Sequence, residues 1–192
     1  PYDGERLAGS VGFPLPGVSA RVADDQGREV PRGETGVLEI TGPNVFKGYW
    51  RMPEKTAAEF RPDGWFITGD NATMDESGRV TIVGRAKDLI ISGGYNIYPK
   101  EIEGEIDAID GVKESAVVGA PHPDFGEGVV AVVVAEPGRG LSAEDILAPL
   151  QGRLARFKQP KRVEVVAELP RNTMGKVQKA RLREDYADSF QS

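Results

Sequence analysis

Apolar and polar positions follow two rhythms along this chain, and the rhythm changes near residue 90. In the first stretch the period is short. Val18 to Ala23 alternates as a strand does, and Asp24-Asp25-Gln26-Gly27 turns it back. GETGVLEITG predicts a turn and then a strand through Val37, Leu38 and Ile40. Pro53 suits the first turn of a short helix, PEKTAAEF, which stops before Arg61-Pro62-Asp63-Gly64. Trp65 to Thr68 reads as a strand ending at Gly69-Asp70. Asp75-Glu76-Ser77-Gly78 is a hairpin turn that returns Arg79 to Val83. Residues 1–17, punctuated by Phe13-Pro14-Leu15-Pro16-Gly17, read as loop. These hairpins predict a small antiparallel sheet or partial barrel.

In the second stretch, helical and strand patterns alternate. Ile102, Ile106 and Ile109 recur at helical spacing over Pro99 to Ile109. The acidic residues between them, Glu101, Glu103, Glu105 and Asp107, are assigned to solvent. Ser115 to Ala120 is a strand, and the unbroken β-branched run Val129 to Ala135 predicts one buried on both faces. Ser142 and Asp145 form a capping-box pattern opening a helix through Ile146, Leu150 and Leu154, which Pro149 should kink or shorten. Arg162 to Ala167 is a further strand and Lys179 to Tyr186 a last helix. The change of rhythm falls in Gly84 to Ile97, GRAKDLIISGGYNI, a candidate domain boundary. The expected fold class is α+β: a small antiparallel β-barrel-like subdomain followed by a small α/β sandwich.

Composition narrows the chemistry. The 192 residues allow one large domain or two small ones, and 39% apolar residues support a core. The formal net charge of −6 argues against a nucleic-acid binder. With no cysteine and His122 as the only histidine, disulfide scaffolds and Cys or His metal clusters are excluded. No apolar run approaches the ~20 residues needed to span a bilayer, and no signal peptide is seen, so a cytoplasmic setting without membrane partners is expected. The chain begins at Pro1 without methionine, which predicts a piece of a longer protein.

Four stretches can carry chemistry besides turning the chain. GETGVLEITGPNVFKGYW is dense in glycine. WFITGD sets Asp70 beside a glycine, where one carboxylate can accept two hydroxyl hydrogen bonds, as a ribose diol requires; a turn-capping aspartate is the commoner meaning of such a residue. GRAKDLIISGGYNIYPKEIE brings Arg85, Lys87 and Asp88 to the boundary. In LPRNTMGKVQKARL, Gly175 precedes Lys176 on an expected flexible loop, from which a lysine can reach a phosphate. Residues 151–183 hold ten basic and two acidic side chains, a local charge of 10 − 2 = +8. That focusing suits a nucleotide or coenzyme A, although a solvated basic face has the same composition. His122, in PHPDFGEG, reads as a turn residue and not a base.

In this order the four stretches resemble the C-terminal part of AMP-forming acyl-CoA synthetases, the adenylate-forming superfamily. They look like its Gly-Glu-Leu…Gly-Tyr, Thr-Gly-Asp, hinge and C-terminal lysine motifs. The wording ISGGYNIYPKEIE and LPRNTMGKVQK is most similar to malonyl- and methylmalonyl-CoA synthetases. The resemblance implies an acid–thiol ligase that joins a small carboxylic acid to ATP, releasing pyrophosphate, and then passes the acyl group from AMP to coenzyme A. It implies that Asp70 and Arg85 hold the ribose hydroxyls and that Lys176 is the catalytic lysine of the first step. Gly93, Gly94 and Tyr95 would face the site in the second step, where glycine leaves room for pantetheine. Lys87 would be the hinge between residues 1–84, closing a large N-terminal domain, and residues 85–192, a mobile lid.

The family's phosphate loop, its aromatic Thr-Glu motif and its acyl pocket are absent. Ligands for Mg2+ are therefore expected before Pro1, and these residues alone are expected to be inactive. Two other readings fit the same motifs. One is an adenylation domain that loads a carrier protein. The other is a lid region whose Lys176 is the target of a protein acetyltransferase and deacetylase.

Overall fold

The computed structural model describes residue 7 and residues 9–191. It divides between Lys87 and Asp88 into two compact units. The first is built on one antiparallel sheet of β1 (Ser10–Gly12), β2 (Ser19–Ala23), β3 (Gly36–Thr41), β4 (Phe66–Met74) and β5 (Val80–Arg85), in the order β1-β5-β4-β3-β2. β1 and β2 stand at its two edges, so the sheet is open and not a closed barrel. β1 also replaces part of the expected leader loop; residues 1–6 and 8 of that expectation lie outside the described residues. The helix α1 (Pro53–Glu59) has its proline in the first turn, where a missing N–H costs nothing.

One face of this sheet buries Val22, Leu38, Ala72, Met74 and Val80. The other holds a charge cluster that alternation alone would not place there. Glu39 of β3 is fully buried and accepts hydrogen bonds from Arg21 Nε and Arg61 Nε, both at 2.9 Å. Trp65 lies under the Arg21 guanidinium, 4.3 Å from ring centre to Cζ. A carboxylate can be buried here because two cations and their N–H groups satisfy both oxygens.

The second unit is a sheet covered by helices on both faces. β6 (Ile90–Ser92) and β7 (Tyr95–Ile97) form a hairpin, and β8 (Val112–His122) and β9 (Gly126–Ala135) another. β10 (Arg162–Val166) lies parallel to β9, and β6 joins β9 only at Ser92 and Gly126. The odd residues of β9, Val129, Ala131 and Val133, pack with α2 (Pro99–Asp107) and α3 (Ala143–Leu150). The even ones, Val130, Val132 and Val134, pack with Leu169 and with Leu182 of α4 (Lys179–Asp185). A strand with two buried faces needs apolar residues at successive positions, which the run Val129 to Val134 supplies. The Ser142–Asp145 capping box forms, with Ser142 Oγ accepting from Asp145 N at 3.3 Å and Asp145 Oδ2 from Ser142 N at 2.8 Å. α3 ends at Leu150, four residues short of the expected Leu154, because Pro149 cannot donate to the helix ladder.

Candidate functional site

Asp70 and Arg85 are brought together in the first unit. They face each other across β4 and β5, and Arg85 Nε lies 2.9 Å from Asp70 Oδ1. The expected strand end at Gly69-Asp70 is a correction: β4 continues to Met74. Thr68-Gly69-Asp70 is a bulge inside the strand. Val37 and Glu39 of β3, two apart, pair with Asn71 and Ile67 of β4, four apart. Gly69 takes φ +74°, which an L side chain rarely adopts. Thr68 Oγ1 donates to Leu38 O at 2.8 Å and accepts from Asp70 N at 3.1 Å, fixing the bulge. Bulges re-aim side chains. Here one turns Asp70 to a partly exposed position, with Oδ1 on Arg85. A carboxylate so disposed fits a vicinal diol.

In the second unit, Gly93 and Gly94 form the two-residue turn between β6 and β7, with φ +58° and +82°. Both positive angles are those of a type I′ hairpin turn, which glycine adopts without strain. Gly93 N donates to Phe125 O at 2.8 Å, and Glu127 Oε2 accepts from Ile91 N at 2.7 Å. A side-chain atom on Gly94 would meet nothing within 4 Å, so the space beside it is open. Tyr95 is exposed and stacks on Phe157, centroids 4.4 Å apart.

Lys176 is exposed, and among the described residues no carboxylate pairs with it. Its loop is not the flexible one expected. Arg171 and Val177 form a bridge, Gly175 N donates to Asn172 O at 2.9 Å, and Asn172 Oδ1 accepts from Met174 N and Lys176 N. Gly175, at φ +77°, closes a tight turn. Both ends of the turn are fastened to the rest of the unit: Arg171 pairs with Glu114 of β8, and Lys179 Nζ lies 2.5 Å from Glu103 of α2.

Glu103 is the residue the sequence pattern misplaced. Only 7% exposed, it accepts from Val117 N at 2.9 Å, an edge N–H of β8, besides pairing with Lys179. The assignment of all four acidic positions of α2 to solvent is corrected at this one. The basic cluster is corrected as well. Seven of its ten members, Arg153, Lys158, Arg162, Arg171, Lys179, Arg181 and Arg183, form ion pairs within the unit. The local +8 is therefore largely neutralised, and Lys176 stands out as one of the three unpaired members.

Lys87 lies in a single 3-10 turn, Ala86–Asp88, while Asp88 pairs with Arg183 at 2.6 Å. His122 is the last residue of β8, paired with Gly126, and not the expected turn residue; its Nδ1 accepts from Asp124 N at 3.2 Å and its ring packs on Phe125 and Phe190. Among the described residues no group of carboxylates and histidines can hold a metal ion, and no helix is long and apolar enough to cross a membrane.

The AMP-binding enzyme C-terminal domain matches residues 101–176, and the AMP-binding enzyme family matches residues 1–50. The chain belongs to the AMP-binding, adenylate-forming enzymes. It is 46% identical to a feruloyl-CoA synthase of Amycolatopsis over 178 residues, covering 93% of this chain and 36% of that protein. The crystal structure of ATP-bound MatB from Rhodopseudomonas palustris is 62% identical, with a TM-score of 0.94, over all of this chain and 38% of its own. The apo structure of the same MatB is again 62% identical over 100% of this chain and 38% of its own, with a TM-score of 0.73. The chain spans little more than a third of the relatives it matches.

Proposed function

We propose that this chain is the C-terminal part of an AMP-forming acid–thiol ligase, which activates a small carboxylic acid with ATP and transfers the acyl group to coenzyme A. Asp70 and Arg85 hold the ribose diol. Lys176 places its ammonium against the α-phosphate and the attacking carboxylate, where negative charge builds. The Gly93-Gly94 turn borders the path of the pantetheine thiol. Malonate or methylmalonate is the proposed acid, on the likeness to MatB and the wording of the ISGGYNIYPKEIE and LPRNTMGKVQK segments. Mg2+ would be held outside the described residues.

The observation that carries the reading is the separation of two working surfaces on one unit. The Lys176 turn is tied to β8 at Glu114 and, through Glu103, at Val117, which pair with Val134 and Ala131 of β9. The Gly93-Gly94 turn joins the same strand at Gly126. The 5 to 8 intervening residues correspond to ~17–26 Å of strand. A rigid unit cannot bring both surfaces to one reacting carbon at once, so it must present them in turn. That supports the second unit, from Asp88 onward, as a lid turning about Lys87, with Arg85 staying beside Asp70 in the first unit.

The test separates the half-reactions in the full-length enzyme. Lys176→Ala should slow pyrophosphate release by about 10²–10³ while still converting supplied acyl-AMP and coenzyme A to thioester. Gly94→Leu should release pyrophosphate but form little thioester. Equal loss of both steps in both variants would mean one fixed site. Coenzyme A-dependent AMP release with a panel of acids identifies the substrate.

A further inference from the structure

We infer that Asn172 is a positioning residue for Lys176, an inference that rests on the reading of Lys176 as the lysine of acyl-AMP formation. Four hydrogen bonds join Asn172 to the segment that ends in the lysine. Its Oδ1 accepts from Met174 N at 3.0 Å and Lys176 N at 2.9 Å, its own N–H donates to Lys176 O at 2.9 Å, and its carbonyl accepts from Gly175 N at 2.9 Å. Both backbone polar groups of Lys176 are thus bonded to Asn172. The lysine's Cα is fixed relative to Asn172, and only the four-carbon stem is left to move.

The turn is in turn fixed to the sheet. Arg171, the preceding residue, donates from Nη1 to Gly175 O at 2.6 Å and pairs with Glu114 of β8. Lys179 is held by Glu103, itself bound to Val117 N. Nothing apolar does this work, since Thr173, Met174 and Gly175 are exposed. Removing the Asn172 carboxamide strips the lysine amide of its acceptor and lets the turn open, while Arg171 and Lys179 still hold its ends. The ammonium then samples a wider volume and is less often at the reacting oxygens. Such misplacement acts on rate and leaves nucleotide binding, which uses Asp70 and Arg85, alone.

The experiment compares Asn172→Ala, Asn172→Asp and Lys176→Ala in the full-length enzyme by pre-steady-state kinetics. Asn172→Ala should slow acyl-AMP formation by about 10–100-fold, with the KM for ATP and thioester formation from supplied acyl-AMP within about twofold of wild type. Asn172→Asp keeps the oxygen acceptor and should recover most of the rate. The inference is overturned if Asn172→Ala forms acyl-AMP normally, if it loses both half-reactions equally, or if aspartate is no better than alanine. Lys176→Ala with undiminished acyl-AMP formation would instead overturn the role of the lysine, and this inference with it. Should Asn172→Ala fail to fold, Gly175→Ala carries the same test. Its new methyl group meets no atom within 4 Å, so only the +77° backbone angle of the turn is disturbed. The same split between the half-reactions is expected.

Discussion

Replacing Glu103 tests whether the edge of β8 is held by a buried charge. Glu103 is 7% exposed and serves two partners, the Val117 N–H at 2.9 Å and the Lys179 ammonium at 2.5 Å. Glu103→Ala orphans an edge amide under α2, worth about 1–3 kcal/mol. It also strips Lys179 of its counter-charge. The lysine side chain is one-fifth exposed and can turn to water, so this second loss is discounted to about 1 kcal/mol. The sum is about 3 kcal/mol. Glu103→Gln keeps an oxygen for Val117 and loses only the charge, so it should cost about 1 kcal/mol. Urea denaturation followed by far-UV circular dichroism measures both, and amide exchange locates the effect: Val117 should exchange about a hundredfold faster in the alanine variant. If glutamine costs as much as alanine, the charge and not the edge N–H carries the stability. If alanine costs less than about 0.5 kcal/mol, the reasoning about the buried edge is wrong.

Two further outcomes follow from the first unit. In the full-length enzyme, Asp70→Ala should weaken nucleotide binding about 10–100-fold by calorimetry, one to two charge-assisted hydrogen bonds being lost, without unfolding the unit, because the exposed Asp70–Arg85 pair adds little stability; unchanged affinity would remove Asp70 from the ribose site. In the β4–β5 turn, the Ser77 hydroxyl and then the Arg79 N–H hold the Asp75 carboxyl below its ordinary value of 3.8, so its contribution is complete above that pH and is lost as pH falls below it. Thermal melts of this chain should converge with those of Asp75→Asn as the pH drops toward about 2, and parallel curves at all pH values would refute the assignment.

Much of the fold was legible because burial and period agree. The VVAVVVA run, the Ser142–Asp145 cap and the Asp75–Gly78 turn form as their residue types dictate. Three features were not legible, each for a physical reason. A glycine in a strand reads as an end, yet the Thr68-Gly69-Asp70 bulge passes through it because Thr68 Oγ1 bonds both Leu38 and Asp70. Glu103 sits between Ile102 and Ile106, and its acidity outweighed its place beside the apolar face. The basic residues near the C-terminus read as a field for an anion because their carboxylate partners, Glu101, Glu105 and Asp88 among them, lie far off in sequence. Of the candidate site, Asp70 and Arg85 were linked only by the family resemblance, because the strands that pair them run past the ends expected at Asp70 and Val83. The rigidity of the Lys176 turn was not, since the Gly175-Lys176 pair says nothing of what Asn172 binds.

The valine-rich β9 has a cost for folding. Because both its faces are apolar and β-branched, sliding the strand by one residue exchanges two nearly equivalent faces, and hydrophobicity alone gives little preference between the alternatives. Discrimination must come from positions that tolerate only one alignment. Gly128 is such a position: a Cβ there would lie 2.4 Å from the Phe190 ring, so a slip that puts Val129 in its place drives a valine into an aromatic side chain. This glycine works as a negative element. It adds no attraction to the native pairing, but it raises the energy of the mispaired strand that so uniform a segment would otherwise fall into.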